Sequence, residues 1–149
     1  MGTRSTPSDW TVVVARRFLD TNVLVYTDDG GDRRRAKRAL AAVQEAIASG
    51  EGVVSTQVLQ EYYSVTTRKL GTDPAVARRK LQLFATLDVI QVDTDLILAA
   101  VDLHRLHALS FWDALILSAA GRAGCEILLT EDLQAGRAIS GLRIVDPFA

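Results

Sequence analysis

The chain lacks the features that define several classes of protein. It has a single cysteine, Cys125, so it can form no internal disulfide, and its three prolines do not cluster into a linker. No apolar run is long enough to span a bilayer or to act as a signal peptide. These absences exclude a disulfide-stabilised secreted domain and predict a protein of the reducing cytoplasm.

An excess of charge of one sign is also missing. The 17 basic and 18 acidic residues give a formal net charge of −1, so the chain has no overall basic field of the kind that marks many nucleic-acid-binding proteins. Any binding of a polyanion must therefore depend on local charge. With 48% hydrophobic and 23% charged residues among 149, the composition excludes intrinsic disorder and predicts one compact globular domain.

Short β-branched runs alternate with longer segments of helical periodicity, which is the pattern of βαβ units and a parallel sheet. The predicted fold is a three-layer α/β/α sandwich with a central parallel sheet, formed by residues 16–149 behind a leader at residues 1–15. Strands are predicted at 17–20, 52–55, 89–92, 126–130 and 142–145, and helices at 33–49, 56–68, 74–87, 94–107 and 111–122.

Two acidic residues directly follow predicted strands. Asp20 ends the first strand in the segment RRFLDTNVLVY, and Asp132 follows the fourth strand in ILLTEDL. Parallel strands end at the same edge of a sheet, and ligands of open α/β sheets bind at that edge. Each acid also has a simpler interpretation, since Asp20 can cap a helix that begins at Asn22 and Asp132 can be a turn residue. Other acids, such as Asp28, fall in turns, at caps or on solvated faces and need no special role.

Two further acids are placed by helical phase. Glu61 lies about 60° from Val58, at the margin of the buried stripe predicted for its helix. Asp113 lies about 60° from Ile116, in the first turn of another helix whose predicted buried stripe also includes Trp112. The helix dipole alone also favours a first-turn acid such as Asp113.

Helices begin at the same sheet edge at which parallel strands end, so four acids are predicted to gather in one cleft: Asp20, Glu61, Asp113 and Asp132. Four carboxylates packed together raise one another's pKa unless a cation neutralises them. Oxygen ligands without Cys or His favour a hard ion, Mg²⁺ or Mn²⁺, over Zn²⁺. The predicted site holds one or two such ions.

The segments that carry these acids resemble the PIN-domain family, in particular the VapC-type ribonuclease toxins of bacterial toxin–antitoxin pairs. The matching segments are FLDTNVLVY, STQVLQEYY, SFWDALIL and LLTEDLQAG, followed by LRIVDPF, in the order typical of the family. Together they extend from Arg16 to Phe148, nearly the whole chain. Each segment alone is a weak signal, whereas all of them in order are a specific one.

The resemblance implies a cytoplasmic, metal-dependent endoribonuclease with an RNA substrate, a cognate antitoxin and a homodimeric state. It implies that the four acids are both catalytic and metal-binding: Asp20, Glu61, Asp113 and Asp132. Asn22 and Thr130 match polar positions that order a carboxylate or a metal-bound water. One position departs from the pattern, because Glu131 stands beside Asp132 where many relatives have a basic or amide residue. Either of these two acids can therefore be the one that reaches the metal.

Arginine supplies 14 of the 17 basic residues, and six basic or small residues, RRRAKR, open one predicted helix at 33–38. Phosphate contacts position a nucleic acid on a protein, so these arginines are predicted to contact the RNA backbone: Arg33, Arg34, Arg35 and Arg38. The same side chains can instead meet an acidic antitoxin tail or form a solvated helix face.

Other functions fit the sequence less well. A phosphoacceptor receiver domain needs a lysine near its last strand, and the lysines here are Lys37, Lys69 and Lys80. A nucleotide-binding fold needs GxGxxG or GxxxxGK[ST] after a strand, and neither occurs. Two alternatives stay open: a PIN-like module that binds RNA or a partner without cleavage, and a housekeeping nuclease without an antitoxin.

Overall fold

The computed structural model describes residues 15–133 and 138–149. The predicted leader lies outside these residues except for Ala15, which is buried in the core. The strands are β1 (Arg17–Leu19), β2 (Gly52–Ser55), β3 (Asp88–Ile90), β4 (Ile127–Leu129), β5 (Ala138–Ile139) and β6 (Leu142–Val145). The helices are α1 (Thr21–Tyr26), α2 (Arg33–Ser49), α3 (Thr56–Lys69), α4 (Pro74–Phe84), α5 (Thr94–Leu106) and α6 (Phe111–Arg122). Among them, none is both long enough and apolar enough to cross a membrane.

The strands form one sheet in the order β3-β2-β1-β4-β6-β5. The neighbours from β3 to β6 are parallel, and β5 runs antiparallel to β6. The predicted α/β fold with a central, mostly parallel sheet is therefore confirmed. Strands β2 and β3 extend the sheet on one side of β1, whereas β4, β6 and β5 extend it on the other side. The direction in which successive strands are added therefore reverses between β1 and β4. Such a switch point is where α/β proteins bind ligands.

The helices predicted from periodicity are all present. Each begins behind a side chain that accepts a hydrogen bond from a first-turn backbone N–H: Asp32, Ser55, Asp73, Asp93 and Ser110. Helix α4 ends at Phe84 rather than at residue 87. Strand β5 was not predicted, because two residues are too short to display a period. Helix α1 was predicted only as one interpretation of Asp20, the cap of a helix that begins at Asn22, and its six residues are also too few to display a period.

The predicted burial of Trp112 is wrong. Its side chain is 61% exposed, whereas four consecutive residues after it are buried among the helices and the sheet: Ala114, Leu115, Ile116 and Leu117. Helix α6 is apolar around most of its circumference, so the periodicity of its sequence does not identify the face that packs on the core.

Helix α2 approaches β2 closely because the facing residues are small. The buried side of α2 consists of Ala39, Ala42, Val43 and Ala46. Gly52 in β2 lies opposite, and a Cβ atom added there would be 2.6 Å from the Cβ atom of Ala46 and 2.6 Å from Cδ2 of Leu87. Even one methyl group at residue 52 must therefore push the helix and the sheet apart.

We expect Gly52→Ala to lower the free energy of unfolding by about 1–3 kcal/mol, because it overpacks this contact. Gly121→Ala is the matched control: Gly121 lies in α6 with nothing within 4 Å of the added Cβ atom, so the substitution should stabilise the helix by up to about 1 kcal/mol. Urea denaturation followed by circular dichroism measures both. Equal stability of Gly52→Ala and the wild type would contradict the close packing.

Candidate active site

Asp20 lies where β1 and β4 separate. Leu19 in β1 is paired with Leu129 in β4, so the next residues, Asp20 and Thr130, emerge side by side at the C-terminal edge of the sheet. The Asp20 N–H donates to the Leu129 carbonyl at 3.0 Å, which extends the ladder by one bond. Asp20 therefore stands at the switch point of the sheet.

The Asp20 carboxylate is buried and accepts hydrogen bonds on both oxygens. Its Oδ1 accepts from the Thr21 N–H at 2.7 Å, which makes Asp20 the N-cap of α1. Its Oδ2 accepts from the Thr130 hydroxyl at 2.8 Å. The helix it caps begins at Thr21, one residue before the predicted start, and capping occupies only one of its two oxygens.

The Thr130 hydroxyl joins Asp20 to the segment that carries Asp132. Besides donating to Asp20, its Oγ1 accepts from the Asn22 side-chain amide at 3.1 Å and from the Asp132 N–H at 3.0 Å. One donor and two acceptor sites are the full capacity of a hydroxyl group. Thr130 thus contacts Asp20 directly, and Asn22 is linked to Asp20 through the Thr130 hydroxyl.

Glu61 reaches the same region from the second turn of α3. This helix begins directly after β2, where Ser55 caps it, so its first turns lie at the C-terminal edge of the sheet. Glu61 is half-buried, and its Oε1 accepts from the Thr21 hydroxyl at 2.8 Å. Thr21 thus contacts two carboxylates, Asp20 through its N–H and Glu61 through its side chain.

Burial and neighbouring carboxylates affect the pKa of Asp20. The pKa of Asp20 is raised to about 6: burial is the largest cause and the charges of Asp132 and Glu61 add to it, while the hydrogen bonds from Thr130 and Thr21 lower the pKa. The net increase means that the hydrogen bonds do not fully compensate the buried negative charge.

Glu61 and Asp132 line a cavity of about 430 Å³, which we call the acid cleft; its lining comprises Thr21, Asn22, Val25, Tyr26, Glu61, Val65, Lys69, Leu70 and Asp132. Asp113 is not among these residues. It lies half-buried in the first turn of α6, where its N–H donates to the capping Ser110 hydroxyl at 3.0 Å. Of the four predicted acids, Glu61 and Asp132 line the cleft and their charges act on the buried Asp20, whereas Asp20 and Asp113 are not among the lining residues.

The donor chemistry of this cluster fits a divalent cation. All of its carboxylates are oxygen donors, which hard ions such as Mg²⁺ prefer, and a cation would offset the burial and the neighbouring charges that raise the pKa of Asp20. In residues 15–133 and 138–149, however, no three His, Cys, Asp or Glu side chains lie close enough together to hold a metal ion. The oxygens of Asp20 and Glu61 are instead held by Thr130 and Thr21.

Glu131 and Asp132 take different directions. Glu131 accepts a hydrogen bond from the Tyr26 hydroxyl, and burial followed by this bond raises the pKa of Tyr26 to about 12. Asp132 is exposed and lines the acid cleft, and its charge helps to raise the pKa of Asp20. Of the two acids, Asp132 is the one that faces the cleft.

The arginines predicted to contact RNA occupy a neighbouring groove. Arg34, Arg35 and Arg38 line a cavity of about 280 Å³ together with Asp32, Glu131, Asp146 and Phe148, while Arg33 is exposed and lies outside it. Arg35 lies over the Tyr26 ring, 4.4 Å from its centroid, and within 4.0 Å of the carboxylates of Asp29 and Asp32. The acids in this groove offset its basic charge, and RNA binding by the arginines stays a prediction.

Sequence reasoning missed the role of Asp28. Its side chain is only 10% exposed and accepts from the Tyr62 hydroxyl at 2.5 Å, the Thr66 hydroxyl at 2.8 Å and the Lys80 ammonium at 2.6 Å. This network ties the turn after α1 to α3 and α4, and so holds the helix that carries Glu61. No local pattern predicts it, since the partners lie on other helices.

Sequence reasoning also missed Lys69, which lines the acid cleft at the end of α3. Here a signal was available: Glu61, Val65 and Lys69 follow one another at i, i+4 and i+8, so they lie along one side of a helix.

In EDTA, which removes metal ions, the buried charge of the Asp20 carboxylate should lower the free energy of unfolding. Because the pKa is about 6 in the folded chain and 3.8 ordinarily, the penalty grows as the pH rises above about 4 and is complete above about 6, at no more than about 3 kcal/mol. Asp20→Asn should therefore melt several degrees above the wild type near about pH 7.5, and the difference should shrink toward about pH 4.5. Thermal melts across this range measure it, and a difference independent of pH would contradict the account.

Comparisons with known proteins agree with this architecture. The sequence matches the family model of the PIN domain over residues 17–138. A search of curated proteins found no significant match. Among solved structures, the chain is similar to VapC20 from Mycobacterium tuberculosis, described as a sarcin–ricin loop cleaving toxin, with 25% identity, a TM-score of 0.58, and coverage of 75% of this chain and 86% of that chain.

Two similar structures contain toxin–antitoxin assemblies. A toxin–antitoxin complex from Klebsiella pneumoniae matches with 25% identity and a TM-score of 0.63 over 88% of this chain and 97% of that chain. DNA-bound VapBC from Salmonella typhimurium matches with 20% identity and a TM-score of 0.62 over 89% of this chain and 98% of that chain. Because the family model covers most of the sequence and the fold agrees, the chain belongs to the PIN domain family.

Proposed function

We propose that the protein is a metal-dependent endoribonuclease and the toxin of a toxin–antitoxin pair. The observation that carries this proposal is the buried Asp20 at the switch point of a PIN-domain sheet, with the charges of Glu61 and Asp132 beside it. Clustered carboxylates with a raised pKa in a cleft are typical of catalytic sites. The similarity to VapC20, a toxin that cleaves the sarcin–ricin loop, supports RNA as the substrate.

Four acids would hold one or two Mg²⁺ or Mn²⁺ ions: Asp20, Glu61, Asp132 and, from the first turn of α6, Asp113. A bound ion supplies a Lewis acid that lowers the pKa of water and neutralises charge on a phosphodiester. Helix α6 is followed by β4 and runs back along the sheet, so its first turn faces the edge at which Asp20 lies. This orientation supports including Asp113 in the set.

The chain's own residues hold the carboxylates in place for this reaction. Thr130 fixes one oxygen of Asp20 and Thr21 fixes the other, while the Thr21 hydroxyl orients Glu61. Asn22 in turn fixes the Thr130 hydroxyl. Such outer hydrogen bonds fix the rotamers of carboxylates and so reduce the reorganisation that catalysis requires.

A cognate antitoxin and a second copy of this chain are the proposed protein partners in the cytoplasm. The toxin–antitoxin complexes among the similar structures support the first. Large apolar side chains exposed on α5 and in the first turn of α6 support an interface with another chain: Ile97, Leu98, Leu106 and Trp112.

We expect Asp20→Asn, or EDTA, to abolish cleavage of a labelled RNA while circular dichroism shows that the chain remains folded. Added Mg²⁺ or Mn²⁺ should restore RNA cleavage by the wild type after EDTA treatment, but it should not restore cleavage by the variant. Asp102→Asn is the control, because Asp102 is exposed on α5 outside the acid cleft, and it should cleave normally. Full cleavage by Asp20→Asn, or by the wild type in EDTA, would contradict the mechanism.

The toxin role is tested in cells with the same variants. Expression of the wild type should arrest growth, Asp20→Asn should not, and the product of an adjacent small gene should relieve the arrest. Normal growth together with cleavage in vitro would favour a housekeeping nuclease. RNA binding without cleavage would favour a non-catalytic module.

A further inference from the structure

The acid cleft extends past the carboxylates along α3 to the end of that helix. Glu61, Val65 and Lys69 line it in succession along one side of the helix. At a rise of 1.5 Å per residue, the backbone at Glu61 and that at Lys69 are about 12 Å apart. Carboxylates therefore occupy one end of the cleft and a cation the other.

The charge of Lys69 is available to a ligand. It is the only basic residue among the described residues that line the cleft. Its side chain is exposed and makes no hydrogen bond or ion pair within residues 15–133 and 138–149, whereas Lys80 is paired with Asp28.

The wall between the two ends is apolar. Val25, Val65 and Leu70 line it, and Leu70 remains 40% exposed at the C-cap of α3. Apolar and aromatic surfaces bind the faces of unpaired bases with little dependence on sequence. The cleft volume of about 430 Å³ lies in the range of sites that bind small molecules.

We propose that this half of the acid cleft is a subsite for one unpaired nucleotide of the RNA, adjacent to the bond that is cleaved. Lys69 binds a phosphate of that nucleotide, and Val65 and Leu70 pack against its base or sugar. The inference rests on the proposed ribonuclease function and adds the residues that position the substrate. Since a phosphate contact and an apolar wall carry little sequence information, the subsite selects unpaired RNA rather than a particular base.

The test is the affinity of a labelled single-stranded oligoribonucleotide, measured by fluorescence anisotropy in EDTA so that no cleavage occurs. Lys69→Met should weaken binding about tenfold and reduce the dependence of log Kd on log salt by about 0.7, the value for one phosphate contact on a single strand. Lys69→Arg should restore both. Lys37→Met, which removes an exposed lysine from α2 outside the cleft, should change neither.

The apolar wall is tested in the same assay. Leu70→Ala should weaken binding of the oligoribonucleotide severalfold, whereas Leu83→Ala, which truncates an exposed leucine on α4 outside the cleft, should not. A blunt RNA duplex should compete poorly against the single strand. Thermal melts identify any variant that has lost its fold, and a second substitution, Val65→Ala, then tests the same wall.

Kinetics separate this inference from the proposed function. In Mg²⁺, Lys69→Met should raise KM with little change in kcat, because it removes binding that the ground state and the transition state share. If Asp20→Asn abolishes cleavage but Lys69→Met and Leu70→Ala bind and cleave RNA like the wild type, the nuclease function stands and the subsite is wrong. If the wild type does not cleave RNA, the nuclease function fails, and the anisotropy still decides the subsite.

Discussion

The hydrogen bond from the Thr130 hydroxyl to Asp20 is the contact on which the arrangement of the site depends. It joins the residues that follow β1 and β4, the two strands between which the sheet order reverses. The same hydroxyl accepts from Asn22 and from the Asp132 backbone, so one side chain sets the positions of α1, Asp20 and the segment after β4. Without it, a carboxylate that is 7% exposed would keep only the bond that caps α1.

The site and the rest of the fold place opposing demands on the chain. Bringing Asp20 beside Glu61 and Asp132 raises the pKa of Asp20 and costs stability, which is a common property of functional sites. The surroundings limit that cost. Glu131 is drawn away from the cleft by the Tyr26 hydroxyl, and the Asp28 network holds α3 so that Glu61 keeps its position. Gly52 lets α2 pack closely on the sheet beside these helices.

Local sequence patterns predicted those parts of the molecule that depend on near neighbours. Periodicity and capping residues predicted the long helices, and β-branched runs predicted the strands that end at Asp20 and near Asp132. The direction of Glu131, the burial of Asp28 and the exposure of Trp112 depend on contacts with residues distant in the chain. Helical phase predicted that Glu61 faces inward, but it could not predict which acids line the same cavity, because phase gives no information on how far apart two helices lie.

Titration calorimetry of Mn²⁺ binding tests the central claim most directly, with three proteins compared: the wild type, Thr130→Val and Thr130→Ser. Valine keeps the shape of threonine but lacks the hydroxyl that orients Asp20, whereas serine keeps it. The account predicts that Thr130→Val weakens Mn²⁺ binding by about 10–100-fold, the usual effect of losing a hydrogen bond to a metal ligand, and that Thr130→Ser binds nearly as tightly as the wild type. Equal affinity of all three proteins, or no binding by any of them, would contradict it.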